Sequence, residues 1–168
     1  TFDELSKSLF NVNPTAAALG IKFQDVTAAL ASMTAQGVPT SVATTQMRQL
    51  FVELGDSGSD VGKIFNSVSG QSFKKFIASG HNVQDALKLL ETKAQSSGKG
   101  INELFGSVEA GSAALQLTGP GTERFSNNLL EMGRSAGATD KAYARMDATI
   151  AQSVNKIKAA GAVFLITL

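Results

Sequence analysis

The chain has 168 residues, 43% of them hydrophobic, which suffices for one domain or two small ones with a real core. Only 17% are charged and the formal net charge is +1. This balance argues against a nucleic-acid partner, because phosphate binding needs clustered lysine and arginine and the nearest approach is the Lys74–Lys75 pair. There is no cysteine, so disulfides and thiol chemistry are excluded. No basic-then-apolar leader and no apolar run of about 20 residues occurs, so no signal peptide or membrane span is expected.

Residues 1–10 read as a short helix with Phe2, Leu5, Leu9 and Phe10 on one face. Asn13-Pro14 reads as the start of a second, alanine-rich helix, which Gly20 stops. Residues 23–36 follow as a stronger helix. Phe23, Val26, Leu30 and Met33 lie three and four apart, and Gly37 closes it. After the Val38-Pro39-Thr40 turn, a helix over 39–54 carries the stripe Ala43, Met47, Leu50, Phe51 and Leu54, with Gly55 as its cap. Two such helices on a short turn lie antiparallel to hide both stripes.

The polar DSGSD turn at 56–60 leads into a short helix with Val61, Ile64, Phe65 and Val68 on one face and Gly70 at its end. Phe73, Phe76 and Ile77 mark a further turn or two before Gly80. Asn82 caps a long helix with Asp85 three residues on, and Val83, Leu87, Leu90 and Ala94 face inward. Residues 101–119 then give a short helical turn at Ile101, Leu104 and Phe105, a break at Gly106, and a small-residue helix. In that second helix Val108, Gly111, Ala114 and Leu115 recur at helical spacing, and Ala110, Ala113, Gly106 and Gly111 invite close backbone approach. Gly119-Pro120-Gly121 ends it. Thr122 caps a helix to about residue 135 with Phe125, Leu129 and Met132 inward, broken at Gly137. From Thr139 the longest helix runs to the end, with Tyr143, Met146, Ile150, Ile157 and Phe164 on a heptad-like seam.

No segment alternates apolar and polar like a strand. The expected fold is therefore all-α, a multi-helix bundle of short helical hairpins with a longer C-terminal helix. The expected division is a helical core over 1–137 and a long helix over 138–168 that begins a coiled coil. An internal echo runs through the core: Gly20, Gln24, Asp25 and Leu30 match Gly80, Gln84, Asp85 and Leu90, which places a quasi-repeat over 20–55 and 80–119. The start at Thr1 and the apolar stretch 159–168 (AAGAVFLITL) give the expectation of a fragment of a longer protein.

Little in the chain invites chemistry. His81 is the only histidine and stands at a helix start with no second ligand in register, so it reads as a surface or capping residue and not as a metal ligand. Asp3 and Glu4 are adjacent and cannot face each other; Glu91 with Glu103, and Glu109 with Glu123, are the pairs that a sugar-cleaving site would need. Each also reads as an ordinary solvated helix residue. The SSGKG loop at 96–100 lacks the preceding strand of a phosphate loop. No catalytic, cofactor-binding or metal-binding residue is expected, and no cofactor.

The order of blocks resembles the core region of phage tail tape-measure proteins. The blocks are AAALGIKFQDVTAALASMTAQGV with TTQMRQLFVEL, SFKKFIASGHNVQDALKLL, KGINELFGSVEAGSAALQLTG and MGRSAGATDKAYARM, between residues 16 and 146. The Leu-Phe-Gly and Gly-x-Ala-Ala-Leu patterns and SAGATDKA are the most specific. The resemblance implies a structural protein of phage or prophage origin, not an enzyme. Members are very long helical chains threaded through the lumen of a growing tail, with tail-tube subunits polymerising around them. It implies tube subunits, tail assembly chaperones and tail-tip proteins as partners, assembly in the host cytoplasm, and a final place in the virion tail lumen. Self-association through helices and membrane contact by the full-length protein are further expectations. The alternative function is a membrane-perturbing helical module for genome delivery, motivated by the apolar 159–168 stretch. No family catalytic motif maps onto the chain. Gly20, Asp25, Gly80, Asp85, Leu104, Phe105, Gly106, Gly111, Ala113 and Ala114 are expected as packing or contact determinants.

Overall fold

A computed structural model describes residues 2–137. The expected long helix over 138–168, with its seam at Tyr143, Met146, Ile150, Ile157 and Phe164, lies outside the described residues. So do the side chains of Phe2, Asp3, Glu4 and Leu5. The chain divides into two compact units, Thr1–Met132 and Gly133–Leu168. The fold is all-α: no strand occurs among the described residues.

The first unit begins with α1, Phe2–Ala18, one continuous helix rather than the two expected on either side of Asn13-Pro14. A proline inside a helix removes a hydrogen bond and costs about 3 kcal/mol. Here the burial of side chains across the proline outweighs it. Ser8, Val12 and Ala16 lie at successive fours and are all buried, so one face continues through position 14 and packs on α3. Pro14 and Phe10, whose carbonyl loses its donor, are both on the exposed side. Phe10 is therefore not an inward residue: it is 81% exposed. Gly20, at φ +76°, ends α1. It lets the Ile21 N–H turn back to the Ala16 carbonyl at 2.9 Å, a hydrogen bond that closes the helix end.

Helices α2, Phe23–Thr34, and α3, Thr40–Gly55, form the expected hairpin. All five stripe residues of α3 are buried, and α1, α2, α4, α5 and α7 all pack on this helix. Val26, Leu30 and Met33 of α2 are buried too, but Phe23 at its first position is more than half exposed. Gly55 is not a left-handed cap; it is still helical. Its small size has a packing reason, since a Cβ there would stand 2.7 Å from Cδ2 of Leu19.

Ser59 caps α4, Asp60–Ser69, by accepting from the Gly62 N–H at 2.9 Å. Val61 and Phe65 are buried, with Ile64 packed on the core from its edge. Ser72 caps α5, Phe73–Ala78, whose Phe73, Phe76 and Ile77 are buried. Asn82 and Asp85 close a reciprocal capping box at the start of α6, Val83–Ser96. A single 3-10 turn, Ile101–Leu104, leads to α7, Val108–Leu117. The buried face of α7 is Ala110, Gly111, Ala113, Ala114 and Leu117, so Val108 and Leu115 are exposed, against expectation. The helix is rotated to bring its smallest residues against its neighbours, which lets backbones approach closely. The backbone is helical again over 121–137, α8, where Phe125 is fully buried and Leu129 and Met132 pack on the core. Gly137 is still helical, and any break beyond it lies outside the described residues. No described helix is long and apolar enough to cross a membrane.

Candidate functional site

The most constrained polar feature of the first unit is built around Glu53. This residue stands one turn after Leu50 on the inner side of α3 and is only 9% exposed. A buried carboxylate needs donors, and the chain supplies three from the loop ahead of α7. The Gly106 N–H donates to Oε2 at 2.7 Å, and the Ser107 N–H to Oε1 at 3.0 Å. The Ser107 hydroxyl donates to Oε1 as well. Ser107 Oγ in turn accepts from the Ala110 N–H, which makes it the N-cap of α7. The negative charge thus sits at the positive end of α7, tied to two of the backbone amides there. This clasp fixes α3 to the Leu-Phe-Gly motif. Leu104 and Phe105 are buried beside it, and Gly111 one turn on is closely packed: a Cβ there would stand 3.0 Å from the Asn102 carbonyl oxygen, so that backbone would have to give.

Eight of the ten expected determinants pack against neighbours or turn the chain. Gly111, Ala113 and Ala114 lie on the buried face of α7, which packs on α3; Gly106 donates to Glu53, and Leu104 and Phe105 are buried just ahead of α7. Gly20 and Gly80, both at positive φ, turn the chain before α2 and α6. The remaining two, Asp25 and Asp85, occupy the same third position of their helices and do different work. Asp85 caps its own helix, accepting from the Asn82 N–H at 3.1 Å. Asp25 is buried and reaches across to accept from the Val83 backbone, joining the start of α2 to the start of α6.

Burial pushes the Asp25 carboxyl above its ordinary range, and the nearby Asp85 charge adds to this, against the Val83 hydrogen bond and Lys22, which pull it down. A raised folded-state value means that the folded chain holds the proton more tightly than the unfolded one. The contribution of Asp25 to stability is therefore greatest below the ordinary value of 3.8 and falls as pH rises through the raised folded value. Asp25→Asn keeps an acceptor for Val83 and removes the charge. It is expected to raise the melting temperature at pH 7 and to lose that advantage progressively as the pH is lowered toward 4, a trend read from paired thermal melts.

The carboxylates considered for chemistry are dispersed. Glu91 accepts from the Gly119 N–H at 3.0 Å, and Glu103 from the Gly100 N–H at 2.8 Å, each holding a turn. Glu109 lines an open groove of about 460 Å³ between α3 and α7 with Val42, Gln46 and Val108, whereas Glu123 lines a separate one of about 280 Å³ with Arg124 and Asn128. His81 stacks on Phe76 with ring centroids 4.1 Å apart, and its Nδ1 lies 3.6 Å from Asp85. Among the described residues no group of three or more potential ligands could hold a metal ion.

Sequence reading missed Glu53. Its signal was a carboxylate between Phe51 and Leu54 on an otherwise apolar stripe, a position that a solvated glutamate does not take. It also missed the polar links made by Gln84, Gln36 and Asn128, which join helices far apart in the chain.

Residues 1–109 match the family model described as phage-related minor tail protein. The chain is also 40% identical, over 164 residues, to a protein of Clostridium phage phiCD119 named "Probable tape measure protein". That match takes in 94% of this chain but 17% of the phage protein, so the chain spans about a sixth of the length of its relative. No solved structure matches. The order of motifs and the glycine-punctuated helical body thus agree with an independent family match over most of the described residues: the chain belongs to the phage-related minor tail protein family.

Proposed function

We propose that this chain is a folded module of a tape-measure protein, which sets tail length and supports assembly of the tail around it. The observation that carries the reading is the 40% identity to the phage protein along nearly the whole chain. The role is structural and not catalytic. The carboxylates Glu53, Glu91 and Glu103 are each engaged by backbone amides, which is what a scaffold asks of them. Tail-tube subunits, tail assembly chaperones and tail-tip proteins are the partners, the host cytoplasm the place of assembly, and the tail lumen the final location.

A compact helical body cannot itself measure a length in proportion to residue number; an extended helix can, at about 1.5 Å per residue. The module is then an assembly contact and the extended helix elsewhere in the long protein is the ruler. In the phage, removing 28 residues (four heptads) from an extended helical region outside this module is expected to shorten tails by about 42 Å, measured on electron micrographs. Disrupting the module by Glu53→Ala is expected to reduce the number of tails without changing the length of those that form. Unchanged tail length after the heptad deletion, or shorter tails from the module variant, would refute this division of roles.

A further inference from the structure

We propose that the 121–132 part of α8 is a detachable strap, which opens from the rest of the first unit while α1 to α7 stay folded. Its attachment differs in kind from that of α7. The α7 helix is held by a run of fully buried residues, Ala110, Gly111, Ala113, Ala114 and Leu117, together with the Glu53 clasp. Along 121–132 the one large side chain that is fully buried is Phe125; Leu129 and Met132 are covered in part, and Leu130 is 61% exposed.

The other ties of the strap are polar. Gln84 Nε2 donates to the Thr122 carbonyl at 2.9 Å and to Ser126 Oγ at 2.7 Å. Asn128 Nδ2 donates to Ser32 Oγ at 2.9 Å. Such bonds exchange for water at small net cost, unlike an apolar contact. Ser32 is left without an orphan on opening, because its hydroxyl keeps its own bond to the Ala28 carbonyl at 2.7 Å. The strap therefore covers α2 and α6 partly through groups that tolerate water.

A hinge stands at the right place. Thr118, Gly119, at φ +54°, and Pro120 separate α7 from α8. Two bonds hold the α7 end of that hinge without involving the strap: Gln36 Nε2 to the Gln116 carbonyl at 2.8 Å, and the Gly119 N–H to Glu91 at 3.0 Å. The polypeptide leaves the first unit through α8, so tension along the chain from the carboxy-terminal side reaches the strap before any other helix of that unit. Opening would convert such tension into extension without melting the body.

Native-state hydrogen exchange on the whole chain tests this. Amides of 122–132 are expected to exchange at least ~100-fold faster than those of α3 and α7 and to respond less steeply to low denaturant, the sign of sub-global opening. Phe125→Ala should accelerate exchange in 122–132 by about tenfold or more while leaving α3 and α7 protected within about threefold. Equal protection and equal denaturant dependence across α3, α7 and 122–132 in the unaltered chain would overturn the proposal. So would a Phe125→Ala chain in which α3 and α7 lose protection together with the strap. Neither result bears on tail length, so the strap and the tape-measure reading stand or fall separately.

Discussion

Phe65→Ala is expected to cost about 3–5 kcal/mol. Phe65 is wholly buried on the inner face of α4. Its ring meets those of Phe73 and Phe76 edge-on, with centroids 5.7 and 5.2 Å away and planes at 75° and 86°. Each such pair adds about 0.5–1.5 kcal/mol beyond the area it buries. Both partners lie on the short helix α5, which has few other anchors, and Phe76 also carries the stacked His81. The hole therefore cannot collapse without shifting the start of α6. Since domains retain about 5–15 kcal/mol in total, a loss of this size should move the urea midpoint far toward zero with an unchanged slope. Phe23→Ala is the control: that ring is more than half exposed, and its loss should lie within about 0.5 kcal/mol. Two similar midpoints would mean that the aromatic cluster is not the anchor described.

What could be read from sequence follows the range of the forces involved. The stripe of α3 and the capping box at Asn82 and Asp85 depend on residues within a few positions, and both stand as expected. Val108, Leu115 and Phe10 were misplaced because apolar residues three and four apart mark a face without saying which face is covered. In α7 the choice falls to the alanines and to Gly111, since close approach to the neighbouring backbone gains more contact than burying a valine at greater distance. Pro14 reads as a helix start on a local rule, and the burial of Val12 and Ala16 against α3 overrides it. The family was legible because it is carried by ordered motifs, whereas the Glu53 clasp joins positions 53 and 54 residues apart and has no local period at all.

That clasp supplies the second large effect. Glu53→Ala is expected to destabilise the first unit by about 3 kcal/mol, because it removes one acceptor and strands three donors. The Gly106 and Ser107 amides and the Ser107 hydroxyl all lose their partner together. Water can reach Gly106, which is exposed, so the sum of three full penalties overstates the loss. Glu53→Gln retains one oxygen but turns an amide N–H₂ toward a donor, and should cost about half as much as the alanine change. Ser107→Ala removes the hydroxyl and the cap of α7, for about 1 kcal/mol. The two sites share one network, so the double variant should lose less than the two single losses added together, by about 0.5 kcal/mol or more. Strict additivity in that cycle would show the two groups to be independent, and the carboxylate would then be a tolerated buried charge and not the tie between α3 and α7. Non-additivity with the predicted sign makes the glutamate and the Leu-Phe-Gly turn a single unit, which accounts for why a carboxylate sits on the inner side of the central helix α3.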